Sequence, residues 1–122
     1  MNNETSMIWV TFRREGIHCY PEAATNPDLE DVAFLSNPHR HMFHFKVWID
    51  VKHDNREIEF IQFKRWLERI YGANPYELYN KSCEMIARNL YKQINDRYPD
   101  REVWIEVSED GENGCLLKFL NH

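Results

Sequence analysis

The stretch HRHMFHFKVWIDVK, residues 39–52, decides how the chain is read. His39, His41, Phe43, Phe45, Val47 and Ile49 fall on one side of an extended backbone. Arg40, Met42, His44, Lys46, Trp48 and Asp50 fall on the other. Side chains of a strand alternate between faces, so a period of two with one apolar row marks a strand turned towards a core. Two histidines head that core-facing row.

The neighbouring segments fit around this strand. Upstream, Ile8-Trp9-Val10-Thr11-Phe12 reads as a first strand. Residues 20–38 read as a solvated loop, with Pro21, Asn26, Pro27 and the acidic group Asp28, Glu30 and Asp31. Downstream, Phe60, Phe63, Leu67 and Ile70 follow helical spacing, and Gly72 is a stop signal. Asn74-Pro75 leads to a second helix with Ser82 as N-cap, whose apolar stripe is Cys83, Ile86, Ala87, Leu90 and Ile94. Pro99 ends it. Val103, Ile105 and Val107 then alternate with Trp104, Glu106 and Ser108. Asp110-Gly111 and Asn113-Gly114 form a turn before a last strand over residues 115–120. The expected order is β-β-α-α-β-β, an α+β fold with a four-stranded antiparallel sheet and both helices on one face. Two helices cover such a sheet only in part, so subunits are expected to share the remaining apolar surface.

Composition narrows the classes. The 122 residues amount to one domain, 1–122. Fifteen Lys and Arg against twenty Asp and Glu leave a net charge of −5, which argues against a nucleic-acid coat or a basic membrane binder. Hydrophobic residues at 43% and aromatics at 14% are enough to build a core, which excludes a disordered chain. No apolar run approaches the roughly 20 residues of a membrane helix. MNNETSMIWV lacks the basic-then-apolar pattern of a secretory signal. Cys19, Cys83 and Cys115 are widely spaced and odd in number, the pattern of reduced thiols, so a cytoplasmic location is expected. P-loop, Rossmann and nucleophile-elbow patterns are absent.

His39-Arg40-His41 places two imidazoles on one side of a strand, a geometry that suits two ligands of one zinc ion. His18, after the first strand, is the natural third. Three histidines with an open position make a site able to bind water or polarise a substrate oxygen. By itself, however, H-x-H is more often a pair of ordinary strand-end histidines. Glu109 continues the inward row Val103, Ile105, Val107, where an acid requires a partner. Taken alone it reads as a strand end facing water. Cys83 reads as a small core residue rather than a nucleophile. Arg13, Arg14, Arg40, Lys64 and Arg65 read as scattered, solvated charges.

From Ile8 to Phe119 the chain resembles the 6-pyruvoyltetrahydropterin synthase and 6-carboxytetrahydropterin synthase family, which has the tunnelling fold (T-fold). His18-Cys19-Tyr20-Pro21 is similar to the segment carrying the family's first zinc histidine, and His39-Arg40-His41-Met42-Phe43 to its histidine–glycine–histidine–x–aromatic motif. Ile58-Glu59-Phe60 with Lys64 is similar to the family's lead-in to the first helix. Ser82-Cys83-Glu84-Met85-Ile86-Ala87 is similar to the start of the second. Glu109 matches the glutamate that holds the pterin ring before the last hairpin. The chain is also similar to small pterin-synthase-like proteins of bacteriophage genomes.

The resemblance implies zinc at His18, His39 and His41, and a ligand pocket with Glu109, Ser82 and Cys83. It also implies a homo-oligomer, a trimer or hexamer, closed into a barrel. A carboxylate accepts two parallel N–H bonds from the N–C–N edge shared by pterins and guanine, at about 1.5–3 kcal/mol each. The departures point elsewhere. Where the family has its catalytic cysteine, this chain has Leu35. The segment YGANPYELYNK between the helices lacks the family's aspartate–histidine pair. The expectation is a zinc protein that binds a pterin- or purine-type molecule at a subunit interface, with synthase activity lost. If it is an enzyme, it is a zinc-dependent lyase or hydrolase, in the cytoplasm (the host's, if the chain is viral). The alternatives are a non-catalytic binder that sequesters a nucleotide or a host protein, and a structural oligomer with a vestigial site.

Overall fold

The computed structural model describes residues 4–72 and 76–120. The 39–52 alternation becomes β2 (His39–Val51), in which Phe43, Phe45, Val47 and Ile49 are all buried. It pairs antiparallel along its whole length with β1 (Ser6–His18), which runs well beyond the Ile8–Phe12 segment expected. Helix α1 (Phe60–Ile70) buries Phe63 and Leu67, and α2 (Cys83–Arg97) buries Cys83, Ile86, Ala87, Leu90 and Ile94. Strands β4 (Val103–Glu109) and β5 (Asn113–Phe119) form the last hairpin. Val103, Ile105 and Val107 are fully buried against the β2 row and the α2 stripe. Each such side chain contributes about 1.5–3 kcal/mol through burial.

The sheet is not the four-stranded antiparallel one expected. A short strand β3 (Tyr76–Tyr79) lies between the helices and pairs parallel to the end of β1, giving a mixed five-stranded sheet in the order β3-β1-β2-β4-β5. Its inward Leu78 is buried, and pairing with β1 satisfies backbone groups that the sequence had left to a loop. The fold therefore remains a mixture of helices and sheet, with one strand more than the pattern showed. The expected Asn74-Pro75 connection lies outside the described residues. Residues 20–38, expected as loop, wind into two 3-10 segments, Pro21–Ala24 and Pro27–Ser36.

Two side-chain readings also change. Phe60 is 53% exposed rather than part of the helix stripe, because Glu59 caps α1 by accepting from the Ile61 and Gln62 N–H groups, which leaves Phe60 on the first, outward-facing turn. Arg14 is not a free charge. It stays in phase with Val10 and Phe12 and donates to the Tyr71 (3.0 Å) and Glu68 (3.2 Å) carbonyls, closing the C-terminus of α1.

The helices cover one face. On the other, Trp9, Trp48 and Trp104 stand in one cross-strand row that ends at Lys118. Lys46 sits 4.4 Å over Trp9, and Lys118 sits 4.2 Å over Trp104. Among the described residues no helix is long and apolar enough to cross a membrane, and Cys19, Cys83 and Cys115 are free thiols.

Candidate metal centre and adjoining pocket

Strand register assembles the histidines. His18 ends β1 directly opposite His39, and His41 lies one pleat further along β2, opposite Gly16. All three project to the helix-covered side, where one nitrogen from each lies within 4.8 Å of those of the other two. The ring centroids of His18 and His39 are 4.6 Å apart, those of His39 and His41 4.9 Å. Phe43 forms the floor, edge-on to His18 at 5.1 Å. Gly16 is required there, since a Cβ would come within 2.6 Å of Leu78 Cδ1 and 2.8 Å of the Phe43 ring. The expected trio is thus brought together, and it can hold a metal ion. His44 and His53 are not part of it: His44 lies on the opposite face of β2, and His53 accepts from the Asn55 N–H in the turn beyond the strand.

The hydrogen bonds on the far side of each ring fix its tautomer. His18 Nδ1 lies 2.9 Å from the Lys81 carbonyl and His39 Nδ1 lies 2.8 Å from the Asn37 carbonyl. His41 Nδ1 lies 2.7 Å from Asp110 Oδ2. These partners only accept, so each Nδ1 carries a hydrogen, and the tautomer of the neutral ring is the one with a bare Nε2 lone pair. The Nε2 atoms of His18 and His41 are buried and have no hydrogen-bond partner. A buried orphan nitrogen is costly, and an imidazole anchored through Nδ1 with Nε2 free is how metal-ligating histidines are held. The residues present therefore fit a metal ion.

Two of these anchors escaped sequence reading. Asp110 reads as half of an Asp-Gly turn, and its backbone does adopt the left-handed turn conformation at φ 57°. Its carboxylate also accepts from the Met42 N–H (2.9 Å) and from His41, and these bonds, the Met42 one first, hold it below the ordinary carboxylate range. The Lys81 carbonyl is placed by β3: Cys19 N–H donates to the Tyr79 carbonyl at 2.8 Å, tying the chain just before Lys81 to the end of β1.

Glu109 ends β4 opposite Phe43, on the same face. Its Oε1 is 3.2 Å from His18 Nε2, and its Oε2 is 3.3 Å from His41 Nε2. The acid in the core-facing row thus stands against two imidazoles while its side chain keeps 30% exposure to water. Beside it opens a cavity of about 430 Å³, lined among others by His18, His39, Leu35, Ser82, Cys83 and Glu109. That is the size of a small-molecule site. Tyr20 N–H donates to the Leu35 carbonyl at 2.7 Å, which brings the two ends of the 20–35 segment together at the cavity wall. Ser82 caps α2 through the Met85 N–H (3.2 Å). Burial, with the Glu109 charge adding to it, pushes the Cys83 thiol up to about 12, so it is not a thiolate nucleophile at neutral pH.

Neither the models of known protein families nor the curated proteins give a match to this chain.

Proposed function

We propose that the chain is a T-fold protein of the pterin synthase type that holds a zinc ion at His18, His39 and His41 and binds a flat pterin- or purine-type ring in the adjoining cavity. One observation carries the reading: three imidazoles, each anchored through Nδ1, converge on one another, and the Nε2 atoms of His18 and His41 are buried there with no hydrogen-bond partner. An all-imidazole donor set suits zinc among the common divalent ions. A zinc ion held there would supply a Lewis acid for a substrate oxygen. Leu35, Ser82 and Cys83 wall the cavity, and Glu109, beside the histidines, is a carboxylate that would accept from a ring's N–C–N edge.

Binding without synthase chemistry is the favoured form of the reading. Leu35 lines the cavity at the position where the resembled family carries its cysteine, and the Cys83 thiol stays protonated. Zinc-assisted hydrolysis or lyase chemistry is the enzymatic version of the same site.

Metal analysis of protein purified without chelator tests the zinc half. We expect about one zinc per chain, abolished by His41→Ala. Stoichiometric zinc surviving in a variant lacking all three histidines would rule out this site. Calorimetry tests the ligand half: pterins and guanine, which offer adjacent N–H donors, are expected to bind at least about tenfold more tightly than adenine, which does not. Equal affinities would remove the ring-edge reading.

A further inference from the structure

We infer that Glu109 is a fourth ligand of the metal in the ligand-free protein, so that the site rests closed rather than open. The inference rests on the metal reading of the three histidines and departs from a role for Glu109 confined to the ring.

The geometry of Glu109 is that of a neighbouring ligand rather than a hydrogen-bond partner. Its oxygens stand 3.2 and 3.3 Å from the Nε2 atoms of His18 and His41, yet neither nitrogen meets hydrogen-bond geometry with any acceptor. The tautomers make the contact worse without a cation. With hydrogen on Nδ1, each Nε2 presents a lone pair, and each faces a carboxylate oxygen that also offers only lone pairs. A divalent ion between them turns both contacts from repulsive to bonding. Zinc bonds of about 2.0–2.2 Å at tetrahedral angles put neighbouring ligand atoms about 3.3–3.4 Å apart, close to the distance at which each Glu109 oxygen stands from one of these two imidazole nitrogens. Charge points the same way: three neutral imidazoles leave a divalent ion uncompensated, and Glu109 with Asp110 behind His41 brings the site to neutrality.

Closure has a consequence for the cavity. A ring that takes both Glu109 oxygens must draw the carboxylate off the metal and so open a coordination position for one of its own atoms. Ligand binding and metal opening then become one event.

Cobalt(II) in place of zinc reports coordination by its visible absorption, which is strong for four ligands and weak for five or six. We expect intense four-coordinate bands in the wild type and weaker, shifted bands in Glu109→Ala. The variant's affinity for cobalt should fall at least about tenfold, and acetate, a free carboxylate, should restore the wild-type spectrum. The Glu109→Gln variant keeps the side chain's size as a packing control and should resemble Glu109→Ala in spectrum. If cobalt binds and the spectra and affinities of wild type and Glu109→Ala coincide, Glu109 is not a ligand, while the three-histidine site stands. If cobalt does not bind the wild type at all, the metal reading fails and takes this inference with it. Circular dichroism of metal-free Glu109→Ala separates loss of a ligand from loss of the fold.

Discussion

Asp110→Asn should weaken metal binding although Asp110 touches no metal. The aspartate supplies two acceptor oxygens, one to His41 Nδ1 at 2.7 Å and one to the Met42 N–H at 2.9 Å. Asparagine keeps the shape and tolerates the left-handed turn, so the hairpin survives. It has only one acceptor, however. If its oxygen stays on Met42, its amide hydrogens face His41 Nδ1. The imidazole then moves its hydrogen to Nε2, which turns the metal-facing nitrogen into a donor. If the amide flips, the Met42 N–H loses its acceptor. Either way the wild-type arrangement, a bare His41 Nε2 together with a satisfied Met42 N–H, is lost. Loss of such an outer partner reduces metal affinity by roughly 10–100-fold, or about 1.4–2.7 kcal/mol. Asp110 is partly exposed and water can accept in its place, so the expected value lies near tenfold. Competition between the protein and a chromophoric chelator for zinc measures it, and the urea midpoint of the metal-free variant, expected to move little, serves as the folding control. An unchanged zinc affinity in folded Asp110→Asn would refute the tautomer argument on which the metal site rests.

Two further predictions address the scaffold. The Arg101 guanidinium, forked onto Glu57, holds that carboxyl at about 2, against an ordinary 4.5. A depressed carboxylate contributes stability above the unfolded value and loses it as pH falls through the folded one. Glu57→Gln should therefore lower stability by about 1–3 kcal/mol at neutral pH, with the difference from wild type shrinking between about pH 4.5 and pH 2, as urea unfolding at a series of pH values will read. A difference independent of pH would count against the ion pair. The open sheet face with its tryptophan row, together with the exposed edges of β3 and β5, should be covered in solution by further copies of the chain. Light scattering should then give a trimer or hexamer, and a stable monomer at micromolar concentration would sink the shared-interface reading.

What could be read from the sequence follows the range of the interactions involved. The β2 alternation and the α2 stripe are local patterns of burial, and the structure keeps both residue for residue. Strand β3 has only four residues, YELY, too few for a period to register, and it forms because a parallel edge of β1 lies beside it. Phe60 misled because apolar spacing does not say where a helix begins; the Glu59 cap does. Arg14 misled because a long side chain can follow the inward row and still end on carbonyls more than fifty positions away.

At the site the same division decides which roles can be read. His39 and His41 share a face by local alternation, so a single strand is enough to pair them. His18 joins them only through the β1–β2 register, which sets it opposite His39 and which no local pattern contains. Glu109 was marked by its phase: an acid that continues a buried row must be neutralised by something. What neutralises it depends on the pairing of Phe43 with Glu109, which no local pattern contains. A shift of one residue in that pairing would send the carboxylate to the tryptophan face and leave the two imidazole nitrogens without their negative neighbour. The β2–β4 register therefore determines whether a carboxylate stands against the histidine cluster, and the buried Val103, Ile105 and Val107 are what hold that register in place.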